Sequence, residues 1–149
     1  TMDRERLLLD YFVEIAIVEH LVRNHMESLP MKGLSAAEFG LINYFVRNQR
    51  DRERLVTLAW CFQVSTETMA GTAAELEARG FVRLEGDGED RTAFLTEAGH
   101  AAQIEAIAAV APDIAPLMEE FRDEELEKAV AVLKETRRIF DNLPERLGG

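Results

Sequence analysis

Cysteine is almost missing from this chain. Cys61 stands alone among 149 residues, which excludes an internal disulfide framework and makes a reducing, cytoplasmic compartment the expectation. No apolar run approaches the roughly 18 residues that a bilayer span needs, and no segment has the pattern of a signal peptide. A membrane partner is therefore not expected. Positive charge is short as well: 17 Lys and Arg face 28 Asp and Glu, a net charge of −11. Residues 1–33 hold four basic and six acidic side chains, 34–99 seven and eleven, and 100–149 six and eleven. The deficit thus runs through every part of the chain. Non-specific attraction to phosphate needs local positive charge, so any contact with nucleic acid has to rest on a few arginines.

Catalytic signatures are lacking too. The sequence holds no G-x-S-x-G, no phosphate loop and no nucleophile with a base nearby. His20, His25 and His100 have no metal-ligand spacing with cysteine or carboxylate. An enzyme, a metal site and a cofactor are all unsupported by the residues.

What is there is mostly helix. From about Arg4 to Ser28, Leu7, Leu8, Tyr11, Phe12, Ile15, Val18, Leu21 and Val22 recur at helical spacing, and Leu9, Val13 and Ile17 widen the apolar face. So greasy a helix in a small protein is expected to be buried on several sides, which points to a subunit interface. Pro30 and Gly33 are expected to end it. Ser35 and Glu38 form a capping box before Phe39, Leu41, Ile42, Phe45 and Val46. Residues 47–54 are a charged connector or frayed helix end.

The middle is the most informative stretch. Leu55–Phe62 is a short apolar helix, Ser65 an N-cap, and Thr66–Arg79 a second helix that buries Met69, Ala73 and Leu76. Gly80 stops it as a C′ residue. Phe81–Leu84 and Thr92–Leu95 alternate around the glycine turn Glu85–Arg91 and form a hairpin. Thr96 caps a helix running towards Val110, Pro112 and Pro116 break the pattern, and Asp123 begins a last long helix with Leu126, Val130, Leu133, Arg137 and Phe140 on one stripe. The order is that of a winged helix-turn-helix. The expected architecture is a single domain over 1–149, mostly α with a small β-hairpin wing: the winged helix-turn-helix at 34–99, helical dimerisation regions at 1–33 and 100–149.

Leu58-Ala59, Val64-Ser65, Leu76 to Val82, Asp90-Arg91 and Leu95-Thr96-Glu97-Ala98-Gly99 resemble, in this order, the multiple-antibiotic-resistance regulator (MarR) family across nearly the whole chain. The resemblance implies a homodimer joined by its first and last helices, with each reader helix in a major groove of operator DNA. A wing arginine would enter the neighbouring minor groove. It also implies a ligand-responsive repressor that releases double-stranded DNA when a small aromatic or apolar effector binds. Ser65, Thr66 and Thr68 match the polar start of the reader helix, where hydroxyls and N–H groups meet phosphate, and Arg91 matches the wing arginine.

The departures lie on the same face. Outward positions Thr66, Glu67, Ala70, Gly71 and Ala74 are small and nearly neutral, and Ala70, Gly71 and Glu75 stand where the family commonly has basic or polar side chains. Reading of guanine by arginine is unavailable there; Glu67 could accept from cytosine but would repel phosphate. The wing is two or three residues shorter than the family's usual one, and Thr92 stands where a second arginine is common. Asp90 is placed to hold Arg91 by an ion pair. Arg50, Arg52 and Arg54 alternate with Asp51 and Glu53, a solvated surface more than a phosphate clamp, although Arg54 is kept as a candidate contact. Gly71 costs about 1 kcal/mol against alanine, and close packing is its expected reason, close approach to DNA the other. Trp60 and Cys61 make the short helix apolar almost all round, for extra packing against a neighbouring helix or else as a ligand-pocket wall or a partner-binding patch. With Phe12 they are the candidate ligand-pocket residues. Without a basic neighbour in sequence, Cys61 is expected to be a buried thiol and not a redox sensor. Two functions stay open: a dimeric regulator binding DNA through a few contacts and Arg91, or a winged-helix dimer whose DNA face has drifted toward protein or small-molecule binding.

Overall fold

The computed structural model describes residues 2–29 and 31–143; Pro30, the expected end of the first helix, lies outside the described residues. Helix α1 spans Met2–Glu27, α2 Ala36–Arg47, α3 Leu55–Phe62, α4 Thr66–Ala78, α5 Glu97–Ile114 and α6 Asp123–Asp141. Three short strands, β1 (Arg52–Arg54), β2 (Val82–Glu85) and β3 (Thr92–Leu95), form an antiparallel sheet in the order β1-β3-β2.

The local signals that set these elements are side chains answering free backbone groups at helix ends. Ser35 and Glu38 make the reciprocal capping box at α2, at 2.8 and 3.1 Å. Ser65 Oγ accepts from the Thr68 N–H at 3.0 Å and starts α4. Gly80, at φ +81, ends it, with its N–H on the Glu77 carbonyl and that of Phe81 on Leu76. Thr96 Oγ1 accepts from the Gly99 N–H and donates to the Gly80 carbonyl at 2.7 Å. One hydroxyl therefore starts α5 and pins the wing exit to the end of α4.

Burial then joins the elements. Leu41, Ile42 and Phe45 of α2, Leu55 and Leu58 of α3, Met69, Ala73 and Leu76 of α4, Val82, Ala93, and Ala102, Ala106 and Val110 of α5 form one core. Of the expected core faces, Leu41, Ile42 and Phe45 of α2 and Met69, Ala73 and Leu76 of α4 are buried and Phe39 is half-buried against them, whereas Val46 is not part of the core and Tyr44 is.

Three expectations about elements are corrected. Residues 52–54 are not a frayed helix end but strand β1, paired to β3 with Arg52 opposite Phe94 and Arg54 opposite Thr92. Pro112 does not break α5: it lies in the last turn, where it leaves the Ala108 carbonyl without its helical N–H partner, yet the helix runs on to Ile114 and the Ala115 N–H reaches the Ala111 carbonyl. Pro116 falls at the start of a 3-10 turn, Ala115–Met118, where no donor is needed. The stretch Glu97–Met118 is also long and apolar enough, at mean hydropathy 1.2, to meet a bilayer-span criterion by length and composition alone. Ala102, Ala106 and Val110 of this stretch lie in the core, while Ile104 and Ile107 are exposed.

The arms are different in kind. Helix α1 touches α6 through the Tyr11 hydroxyl and Thr136 Oγ1 at 2.7 Å and through Phe12 against Phe140, ring centroids 5.9 Å apart. Within one chain it is not buried: Leu7, Leu9 and Leu21 are 66%, 64% and 61% exposed. Ile104 of α5 and Val130 and Leu133 of α6 are exposed as well.

Candidate nucleic-acid interface

Helix α4 presents Thr66, Glu67, Thr68, Gly71, Ala74 and Glu75 to solvent. Thr68 is committed locally, its Oγ1 receiving the Ser65 hydroxyl at 2.9 Å and its carbonyl the Thr72 hydroxyl. Ala70 is not on this face: it is half-buried and packs against the core. It was expected among the outward positions, but it follows the buried Met69 and the core reaches it. Gly71 is exposed, and a Cβ built on it would meet nothing within 4 Å. Packing within the chain therefore does not account for this glycine.

The wing is held to α4 from its own side. Glu77 Oε2 accepts the Leu84 N–H at 2.8 Å, tying α4 to β2. Gly99 lets the start of α5 pass close to the wing, since a Cβ there would collide with the Phe81 carbonyl. The turn between β2 and β3 contains Gly86 at φ +78 and a 3-10 turn, Gly88–Asp90. Arg54 closes that turn, donating from Nε and Nη2 to the Glu89 carbonyl at 3.0 and 2.8 Å. Its role in the structure is thus to brace the wing.

The module's other arginines are also engaged. Arg50 pairs with Glu53 at 3.3 Å and Arg79 with Glu38 at 3.7 Å, with the Arg79 guanidinium also over the Phe81 ring. Arg52 and Arg83, on opposite sides of β3 in register, both lie over Phe94 at 5.1 and 4.5 Å from the ring centroid, and pair with Asp51 and Glu85. Arg47 lies 6.0 Å from the Tyr44 ring centroid. Among the described residues, Arg91 makes no side-chain hydrogen bond, ion pair or ring contact. The expected pair with Asp90 does not form; the chain turns between them, with the Asp90 carbonyl taking the Thr92 hydroxyl at 2.8 Å. The Arg91 carbonyl anchors α3 by accepting the Leu55 N–H at 2.9 Å, leaving the guanidinium uncommitted.

Phe12, Trp60 and Cys61 do not line one pocket. Phe12 faces a hollow between α1 and α6, Cys61 a cleft between α3 and α6, and the Trp60 indole donates to the Phe140 carbonyl at 3.3 Å. Helical faces readable in sequence point, once packed, in three directions. Burial pushes the Cys61 thiol up to about 11, with Asp141 beside it raising it further. An apolar cavity of about 550 Å3 lies elsewhere, between α1, the start of α2 and the inner side of α4, lined by Met26, Phe39, Phe62, Met69 and Thr72. Sequence reasoning also missed the buried Glu53, whose carboxylate takes the Tyr44 hydroxyl at 3.0 Å. With β1 read as a connector, nothing marked it as interior.

No family model matches the sequence, and no curated protein does either. Solved structures do match in shape. AbfR of Staphylococcus epidermidis superposes at TM-score 0.72 with 17% identity over 95% of this chain and 96% of that one. A MarR-family transcriptional regulator from Rhodococcus sp. RHA1 gives 0.71 and 18% over 86% and 94%. The transcriptional regulator BldR from Sulfolobus solfataricus gives 0.66 and 20% over 85% and 94%. The chain therefore has a mostly helical winged helix-turn-helix fold with a small three-stranded sheet, the fold of structures that include a MarR-family regulator.

Proposed function

We propose that this chain is a DNA-binding transcriptional regulator that acts as a homodimer and responds to a small apolar effector. The observation that carries the reading is Arg91. In a module where the other arginines are tied to carboxylates, carbonyls or rings, the wing keeps one guanidinium uncommitted. A basic side chain at a wing tip is suited to a narrow minor groove, whose negative potential attracts it. Helix α4 supports the reading from the other side: a capped, exposed N-terminus, and an open glycine at Gly71 where a DNA backbone can come close. Few charged contacts mean that specificity comes mainly from shape and from the wing.

Dimerisation is supported by the exposed apolar residues of α1, a surface that soluble monomers rarely leave to water. The cavity between α1 and α4 supports the effector: it has the volume of a small-molecule site, and its walls include the inner side of the reader helix. A ligand there would press on Met69 and alter how α4 is presented.

The test is titration of the purified protein against DNA from its own upstream region and against scrambled DNA, at several salt concentrations. Specific binding with a shallow salt slope, weakened by Arg91→Ala with the fold intact, is expected. Equal affinity for both DNAs at low salt would overturn the reading in favour of a winged-helix dimer working through another partner.

A further inference from the structure

Two carboxylates on α4 stand outside the charge pairing of the module. Glu67 and Glu75 are exposed and make no hydrogen bond or ion pair among the described residues, whereas Glu77 on the flank accepts the Leu84 N–H at 2.8 Å. Glu67 lies in the first turn, where a negative charge complements the positive end of a helix. That role suits any solvated helix. In a reader helix the position has a further consequence, because the N-terminal residues are the ones that meet base edges in the major groove. A carboxylate there is repelled by the phosphates on either side and weakens attachment to every duplex. Contact with a base that donates to it offsets the repulsion, and contact with any other base does not.

Gly71 stands one turn on from Glu67, at i+4 on the same face. Glycine is unfavourable inside a helix relative to alanine, and no contact within the chain requires it, since a Cβ there meets nothing within 4 Å. Ala74 continues the exposed face with only a methyl. With so little side chain to hold it off, the α4 backbone can settle deep in a groove. That depth brings a side chain as short as glutamate within reach of a base edge.

Groove chemistry then narrows what Glu67 can meet, because an ionised carboxylate accepts hydrogen bonds and donates none. Guanine presents two acceptors, and thymine an acceptor beside a methyl. Adenine presents a donor with the N7 acceptor next to it, and cytosine the N4 donor with no acceptor beside it on its own edge. We propose that Glu67 is a specificity-determining residue of the DNA interface, accepting a hydrogen bond from cytosine N4 at one position in each half-site, with Gly71 permitting the close approach. This rests on the DNA-binding reading above and adds one direct base contact to readout by shape and wing. Affinity and selectivity run in opposite directions at this residue: the charge that favours cytosine disfavours the other bases.

The test selects duplexes from a randomised pool with the full chain, then titrates matched duplexes carrying each of the four base pairs at every selected position. The parent is expected to enrich a motif with one cytosine position per half-site, where exchange of the base lowers affinity roughly tenfold. Glu67→Gln should move the preference there from cytosine to adenine, whose N6 and N7 a carboxamide meets together, and should bind scrambled DNA more tightly than the parent. Glu75→Gln removes the same charge about two turns further along the helix, and is expected to tighten binding to all duplexes while the motif stays as it is. Both side chains are exposed, so the variants are expected to fold, and their thermal midpoints check it. A carboxylate that serves only the helix end affects all duplexes alike. If Glu67→Gln changes affinity by the same factor for all four base pairs at every position, the proposal is overturned and DNA binding stands. If the parent enriches no motif from the pool, the DNA-binding reading falls and the proposal falls with it.

Discussion

The Arg54 guanidinium grips the Glu89 carbonyl with two hydrogen bonds, at 3.0 and 2.8 Å, across 35 residues of sequence. This clamp joins the edge strand β1 to the tip of the wing, beside the uncommitted Arg91. Arg54→Ala removes both bonds and frees the turn. Because the site is exposed, the stability loss is expected to be about 1 kcal/mol or less. DNA affinity is expected to fall much more, since a loosened wing must be ordered again on binding. Parallel chemical denaturation and DNA titration of the variant check this; equal, small effects in both would show the clamp to be incidental.

Much of this arrangement was legible before any coordinates. Ser35, Ser65, Thr96 and Gly80 answer backbone groups within three or four residues, so their roles follow from sequence alone. Most of the core faces of α2 and α4 was legible from helical spacing, though Tyr44 was missed and Val46 is not in the core. Strand β1 was not legible: two arginines flanking a glutamate carry no strand pattern, and their partner β3 lies about forty residues away. The Arg52–Phe94–Arg83 row depends on that pairing and was hidden with it. Direction was the other blind spot. Ala70 turned inward, and Phe12, Trp60 and Cys61 diverged, because packing of helix on helix decides where an apolar side chain points once more than one face is apolar.

The two glycines Gly71 and Gly99 should respond oppositely to alanine. At Gly71 a Cβ meets nothing within 4 Å, so Gly71→Ala is expected to stabilise the chain by up to about 1 kcal/mol through helix propensity. If DNA comes close to α4 there, the same methyl lowers DNA affinity. At Gly99 the Cβ collides with the Phe81 carbonyl, which is backbone and cannot rotate away. Gly99→Ala is expected to destabilise by about 3 kcal/mol. Denaturation midpoints of the two variants decide the contrast.

Leu9 and Leu21 lie on the exposed apolar surface of α1, at 64% and 61% exposure. A Leu9→Glu, Leu21→Glu double variant puts charge into any interface formed there. Light scattering is expected to give twice the 16.8 kDa chain mass for the parent and a lower mass for the variant. A parent that is monomeric at micromolar concentration would remove the dimer from the proposed function.

Cys61 sets an alkaline signature. Its folded value of about 11 lies above the ordinary 9.0, chiefly because burial disfavours the thiolate, with Asp141 next. Tyr44 is raised in the same direction, by burial first and by the charge of Glu53 second. For both groups the folded state holds its proton more tightly than the unfolded state does. The unfolded chain therefore releases protons first as pH rises, and by linkage stability falls over that interval. For Cys61 the contribution is intact below about pH 9 and is lost as pH climbs towards 11. Thermal midpoints are expected to hold between pH 7 and 8.5 and to decline above it, with a shallower decline in Cys61→Ala. The same shift makes the thiol a poor nucleophile near neutrality. Alkylation of Cys61 by iodoacetamide at pH 7.5 should accordingly be far slower in the folded protein than in denaturant; equal rates would place the thiol in water and remove the basis for the alkaline decline.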